Sequence, residues 1–277
     1  MTIRIGSQNP ATMRALRNSS TQRDEQTKSF EKLSSGKRIN RAGDDAAGLA
    51  IANRMGEVLK GLEQGMANVY DGVSLLDTAD GGLANTAEQL GRMKELAVHA
   101  ANDTLSPDQR EAIQAEFDSL YSEVDRVAES VEFNGKKLLD GSAGEVSINV
   151  GQGDGASNVG LDLSAAFDAT ALGLGSLDLT GGDGSNARAS LGAIDDALAQ
   201  VSAQRAELGA SSNRLLSAGR ELAVAAENTY ASRSRIMDSD YAVQTSELAR
   251  QQVLARASDA VLVQGRLMPS SVMDLLK

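Results

Sequence analysis

From Met55, every seventh residue is apolar: Leu62, Val69, Leu76, Leu83, Leu90 and Ala97. A companion row, Ala52, Leu59, Met66, Val73, Asp80, Ala87 and Lys94, is interrupted only at its two charged members. Two rows at this spacing make one apolar seam, which commits the stretch to a long helix lying against another helix. Gly81 and Gly82 fall inside it, each costing about 1 kcal/mol relative to Ala, so packing at Leu76 and Leu83 has to carry the helix through them.

Further rods answer the first. Ser106, Pro107 and Gln109 spell a capping box with proline in the first turn, and Ile113, Phe117, Leu120, Val124, Val127 and Val131 follow at alternating steps of four and three. This predicts a second helix antiparallel to the first. A third begins near Asn186, with Ile194, Val201, Leu208, Leu215, Leu222, Thr229 and Ile236 in its seam. Its second row starts at Leu191 and Leu198 and decays into Arg205, Ser212 and Gly219. Between the helices the period changes to two. Val146, Ile148 and Val150 precede a Gly-rich turn and Val159, Leu161 and Leu163, which predicts a hairpin over about 145–164. Asn134-Gly135 marks a tight turn, and the stretch 165–185 is too rich in turn residues for a long helix. The fold class is mainly α: long antiparallel helices in a coiled-coil or bundle arrangement with a small β-hairpin region.

The chain ends carry surplus apolar surface. A last helix begins near Asp238 or Ser239, with Leu254, Ala257, Val261 and Met268 in one row and Val253, Ala260, Val263 and Leu267 in another. A helix apolar on more than one side needs more neighbours than one short partner provides. Arg38-Ile39 stands before Asp44-Asp45 near one end, and Arg235-Ile236 before Asp238 and Asp240 near the other. The matched pattern predicts two terminal arms, 1–43 and 237–277, meeting a helical body of 44–236 at a joint. There Asp44 or Asp45, and Asp238 or Asp240, are the predicted helix caps. Gly43 is the turn residue, and Arg38 and Arg235 are the neighbouring cations.

No group of residues assembles into chemistry. "SSGKR" lacks the first glycine and the final Ser/Thr of a phosphate loop, and "GQGDG" joins two strands rather than opening a helix. His99 is the single histidine and there is no cysteine, so a triad or a His-based metal site would have to rest on His99 alone, and its place near a helix end reads as a surface or groove residue. No catalytic, cofactor-binding or metal-ligating residue is assigned. Residues 1–43 hold nine basic side chains against three acidic ones, while the rest hold 18 against 35. Without an aromatic stacking platform or a zinc or basic-zipper pattern, the basic arm is no nucleic-acid site. No apolar run reaches membrane-spanning length, and the N-terminus lacks a signal-peptide core. An external destination would therefore require a route that reads no such signal.

Four stretches resemble the bacterial flagellins: "EKLSSGKRINRAGDDAAGLAIANRM" (31–55), "QLGRMKELAVHAANDTLS" (89–106), "EFNGKKLLDG" (132–141) and the tail from Ser234 to Lys277. The resemblance implies a structural subunit that self-assembles into the extracellular filament of the bacterial flagellum for swimming motility. It implies export in an unfolded state by the flagellar type III apparatus and polymerisation under a cap at the distal tip. Residues 1–43 and 237–277 would line the filament core, with Leu254, Ala257, Val261, Leu267 and Met268 packed between subunits. The variable outer domains that the family inserts after the hairpin would be absent, leaving a short insert of about 165–185. Implied partners are further copies, other flagellins, an export chaperone, the filament cap and hook-junction proteins. A host Toll-like receptor would touch Arg92 and Leu96 in "GRMKELAV" and Glu116 in "IQAEF". The rival readings are a hook–filament junction protein and a secreted helical adhesin. Residues 17–29 are more polar than the family's usual arm.

Overall fold

Among the described residues the chain forms five helices and two small antiparallel sheets. The computed structural model describes the backbone of residues 10–151, 158–175, 177–180 and 184–275, and side chains within 13–264. In order the elements are α1 (Pro10–Ser35), α2 (Ala46–Ala100), α3 (Pro107–Ser130), β1 (Glu132–Phe133), β2 (Lys136–Lys137), β3 (Gly144–Asn149), β4 (Asn158–Leu163), α4 (Ser185–Met237) and α5 (Tyr241–Leu275). They fall into two compact units, one of Met1–Glu57 with Asn228–Lys277 and one of Val58–Glu227.

In the Val58–Glu227 unit the heptad row of α2 is buried from Leu62 to Ala97, in one core with Ile194, Val201, Leu208 and Leu215 of α4. The charged interruptions of α2 both find partners on α4, and one of those partners, Arg205, interrupts a row of its own. Asp80 accepts from Arg205 Nε at 2.7 Å and Nη2 at 3.2 Å, and Lys94 meets Asp195 at 2.5 Å. These half-exposed pairs contribute little stability, but they fix α2 and α4 antiparallel in one register. Gly82 also serves packing: a Cβ there would lie 2.7 Å from Leu139 Cδ1 and 2.8 Å from Val131 Cγ2.

The capping box of α3 forms as spelled, with Gln109 N donating to Ser106 Oγ at 3.3 Å and Ser106 N to Gln109 Oε1 at 2.9 Å. Asn134 (φ 51) and Gly135 (φ 78) take the left-handed backbone that a two-residue turn between β1 and β2 requires. In the larger hairpin Val146 pairs with Leu161 and Ile148 with Val159. Gln152, Gly153, Asp154 and Gly155 of its Gly-rich turn lie outside the described residues.

Two features were not legible in advance. The stretch expected to be a short insert belongs to the core, with Phe167, Ala169, Leu172, Leu174 and Leu179 buried. It is tied to α3 where Ala169 N donates to Asp125 Oδ1 and Leu179 N to Gln114 Oε1, each at 2.7 Å. The second is Arg110, whose side chain is 0% exposed. Its Nε donates to Ala100 O at 2.9 Å and its Nη2 to Asn102 O at 3.0 Å. It thereby occupies the last carbonyl of α2, which the helix leaves without a helical partner, and joins Leu105 N on the carbonyl of Asn102 in the turn that follows.

Candidate assembly surface

In the unit of Met1–Glu57 with Asn228–Lys277, the turn after α1 pairs with the segment after α4. Gly36 adopts φ 67. Ser239 N then donates to Gly36 O at 2.9 Å, Lys37 and Asp238 form a β-bridge, and Arg38 N donates to Met237 O at 2.6 Å. Arg38 also donates from Nη2 to Ile236 O at 2.7 Å, so its backbone and side chain both satisfy carbonyls at the end of α4. Ile39 turns inward to pack with Ala52 and Met237, flanked by Leu49 and Ile236.

The four acidic residues divide by task. Asp45 and Asp240 are N-caps: Asp45 Oδ1 accepts from Gly48 N at 2.8 Å, and Asp240 Oδ1 from Ala242 N at 2.9 Å and Val243 N at 3.1 Å. Asp44 faces backward, its Oδ2 accepting from Asn40 N and Arg41 N at 3.1 Å each. These two backbone donors, aided by Lys32 and Lys28, hold its carboxyl below the usual carboxylate range. Asp238 accepts from the Ser234 hydroxyl. Arg41 pairs with Glu31 at 3.0 Å, and Arg235 is exposed in the last turn of α4, where a cation complements the helix dipole. Gly43 lies in the turn of residues 42–44, which Asp44 N closes onto Arg41 O at 2.9 Å, but the turn asks no glycine geometry of it. Gly43 is not among the residues of positive φ, and a Cβ there would meet nothing. Gly36 supplies the left-handed turn, and Gly48 is the close approach, where a Cβ would stand 2.9 Å from Ile39 Cδ1.

Beyond this turn α1 and α5 lie antiparallel, with Ser19 and Arg23 meeting Asp259 at one end and Gly36 meeting Ser239 at the other. The α1 row withdrawn from solvent is Ala15, Ser19, Gln22, Gln26, Ser29 and Leu33, at alternating steps of four and three. Its counterpart on α5 is Gln244, Leu248, Gln251, Ala255, Ser258 and Leu262. Both rows have coiled-coil spacing, yet hydroxyls and carboxamides fill most of the α1 row and half of the α5 row. Gln251 is 5% exposed. Outside lie Met13, Leu16 and Phe30 of α1 and Val243, Val253, Leu254, Val261 and Val263 of α5, with Leu254 43% and Val261 61% exposed. Ala257 is exposed too, while the side chains of Leu267 and Met268 lie outside the described residues. The pair thus fills much of its seam with polar groups while leaving large apolar side chains among the charged residues of its outer faces, unlike a coiled coil that stands alone in water.

The second predicted contact patch lies in the Val58–Glu227 unit. Arg92 reaches Glu116 Oε1 with Nη2 at 2.7 Å and Nε at 3.1 Å, and Glu95 with Nη1 at 2.9 Å. The acidic partners push its guanidinium pKa up, Glu116 foremost. Leu96 is 5% exposed and belongs to the core. As a surface contact it is therefore corrected, because the helix turns it inward. Among the described residues no three His, Asp or Glu side chains gather as metal ligands, and no helix is long and apolar enough to cross a membrane.

Residues 7–144 match the bacterial flagellin N-terminal helical region and residues 191–276 the C-terminal helical region. A flagellin of Halalkalibacterium halodurans is 41% identical over 270 residues, spanning 97% of this chain and 98% of its own. The flagellar filament 30.7 kDa core protein of Treponema maltophilum is 37% identical over the same shares of both chains. Among solved structures, Bacillus cereus flagellin superposes with a TM-score of 0.50 at 29% identity, covering 56% of this chain and 88% of its own. A putative flagellar hook-associated protein of Vibrio parahaemolyticus gives 0.58 at 16% identity, covering 70% of this chain and all of its own, which speaks to fold alone.

Proposed function

The chain belongs to the bacterial flagellin family and is a structural subunit of the extracellular flagellar filament, and we propose that it polymerises by burying the outer faces of α1 and α5 against other copies. It is a structural protein, not an enzyme. The observation that carries the proposal is the set of apolar side chains that the α1–α5 pair leaves on its outer faces while polar groups fill much of its seam. Exposed Leu254 and Val261, with Met13, Leu16 and Phe30 on the partner helix, form apolar surface that the pair cannot bury itself. Each such side chain contributes about 1.5–3 kcal/mol when fully buried. The contacts are heterologous and non-closing, since such an interface repeats into a helical filament rather than stopping at a dimer.

On this reading 1–43 and 237–277 line the filament core, and 44–236 form the domain outside it. The arms order on assembly, because alone they bury too little apolar surface to offset the entropy of fixing them. The turn of Arg38, Asp44, Asp45, Asp238 and Asp240 sets the angle at which the arms leave. Export in an unfolded state, a chaperone, the distal cap and hook-junction proteins complete the scheme. A host receptor would meet the exposed Arg92–Glu116 pair. Against a junction role stands the likeness to filament core proteins along nearly the whole chain, set beside a fold-level likeness alone to the hook-associated protein.

Seeded polymerisation followed by negative-stain microscopy tests the proposal. The unaltered chain elongates seeds, whereas Leu254→Asp with Val261→Asp abolishes elongation and leaves the circular dichroism of the body intact. Filaments of normal length from the double variant would sink it. So would a free chain whose two ends resist limited proteolysis as well as residues 58–227 do.

A further inference from the structure

Among the described residues the direct ionic contact between α1 and α5 lies at the far end of their seam. Asp259 Oδ1 accepts from Ser19 Oγ at 3.2 Å and from Arg23 Nη2 at 3.4 Å. Ser19 is buried, and beside it opens a groove of about 520 Å³ lined by Leu16, Arg23, Leu262 and Val263, so packing is loose here. Between this contact and the Lys37–Asp238 bridge, the rows that face each other consist of uncharged hydroxyls, amides and a few aliphatic side chains, and the electrostatic influence across the helices there, that of Glu25 on Arg250, acts without an ion-pair contact. We propose that Asp259 is the clasp that selects how the arms pair, holding the first half of α1 on α5 in one antiparallel register. The inference rests on the reading of α1 and α5 as the assembling pair.

Other registers are penalised at this carboxylate. A slip of seven residues one way sets Asp259 against Gln26 and the apolar Phe30; the other way sets it against Leu16 and leaves Arg23 facing Gln252. Both strip the carboxylate of its guanidinium, and both place it beside a large apolar side chain. Polar groups in an otherwise permissive helix pair act in this way, specifying register more than adding stability. The exposed ionic part is weak by itself. Its effect here comes from the absence of a competing apolar preference in the seam.

The chain has no cysteine, so Thr21→Cys with Ala257→Cys places two spin labels on exposed positions flanking the clasp, and pulsed electron resonance reads their separation. The measurement is made on the free chain and on seeded filaments diluted with unlabelled chain. A clasp gives one narrow distance in the ordered preparation. Asp259→Lys cuts that population about fivefold, and adding Arg23→Glu restores it. A distribution unchanged by Asp259→Lys in both preparations, or a loss that the charge swap fails to repair, overturns the proposal. Failure of the unaltered chain to elongate seeds speaks against the assembly reading alone.

Discussion

Arg110 shows how far one residue's role depends on its surroundings. In sequence it is a cation in the first turn of α3, a place usually open to solvent; in the fold it is fully buried against carbonyls of a segment up to ten residues earlier. Replacing it with Met keeps most of the volume and removes the donors, taking from Ala100 O its bond to Arg110 and leaving Asn102 O with Leu105 N alone. The expected cost is about 3 kcal/mol, read as a lowered urea midpoint by circular dichroism; an unchanged midpoint would remove these bonds from the account of stability. Asp44 gives a prediction in pH. Its folded carboxyl lies below the ordinary value, held there by Asn40 N and Arg41 N. The stability it lends is therefore complete above the unfolded pKa of about 3.9 and is lost as pH falls through the lower folded value. Amide protection factors at Asn40 and Arg41, taken relative to the intrinsic exchange rate at each pH, are expected to hold down to about pH 4 and to fall below it, and Asp44→Ala removes that transition. Sequence spacing placed caps at these aspartates, but which of each neighbouring pair faces forward is decided by the turn geometry and by the space at Gly48.

Among the elements, the long helices were the most legible, because a seven-residue repeat both names the element and points its face. What the repeat concealed was pairing. Asp80, Lys94 and Arg205 interrupt their rows when each helix is read alone, and become complementary only when α2 and α4 are set side by side. A double-mutant cycle on Asp80→Ala and Arg205→Ala is expected to give a coupling of about 0.5–1 kcal/mol in urea melts. Zero coupling would reduce the pair to a surface coincidence. The strap after the hairpin was hidden for another reason. Turn residues announced an irregular path, and no periodicity could show that its Phe167, Leu174 and Leu179 fill space beside α3. The bend before the hairpin, the end of β4 and the strap itself share one local device, in which Asp140, Asp162 and Asp178 each accept from the hydroxyl and backbone N–H two residues on. In each case the hydroxyl of Ser142, Ser164 or Thr180 leads in lowering the carboxyl pKa.

For the molecule as a whole, the two matched family regions leave out residues 145–190, nearly the stretch of about 143–185 that the sequence resemblance leaves out. Membership in the family was therefore readable from both ends of the chain. The polar seam and apolar outer side chains of α1 and α5 were half readable: the apolar rows of α5 announced a need for neighbours, but nothing showed that Ser19, Gln22, Gln26 and Ser29 of α1 would be the residues turned inward. That arrangement has a calorimetric signature. Exposing apolar surface raises heat capacity and exposing polar surface lowers it. Separating α1 from α5 should then change heat capacity by less per residue than melting the body, where Leu, Ile and Val fill the seams. The missing increment should appear during polymerisation as a negative heat-capacity change, measured as the slope of the elongation enthalpy against temperature. Much of the arms' hydration change would thus accompany the joining of molecules rather than the folding of any one of them.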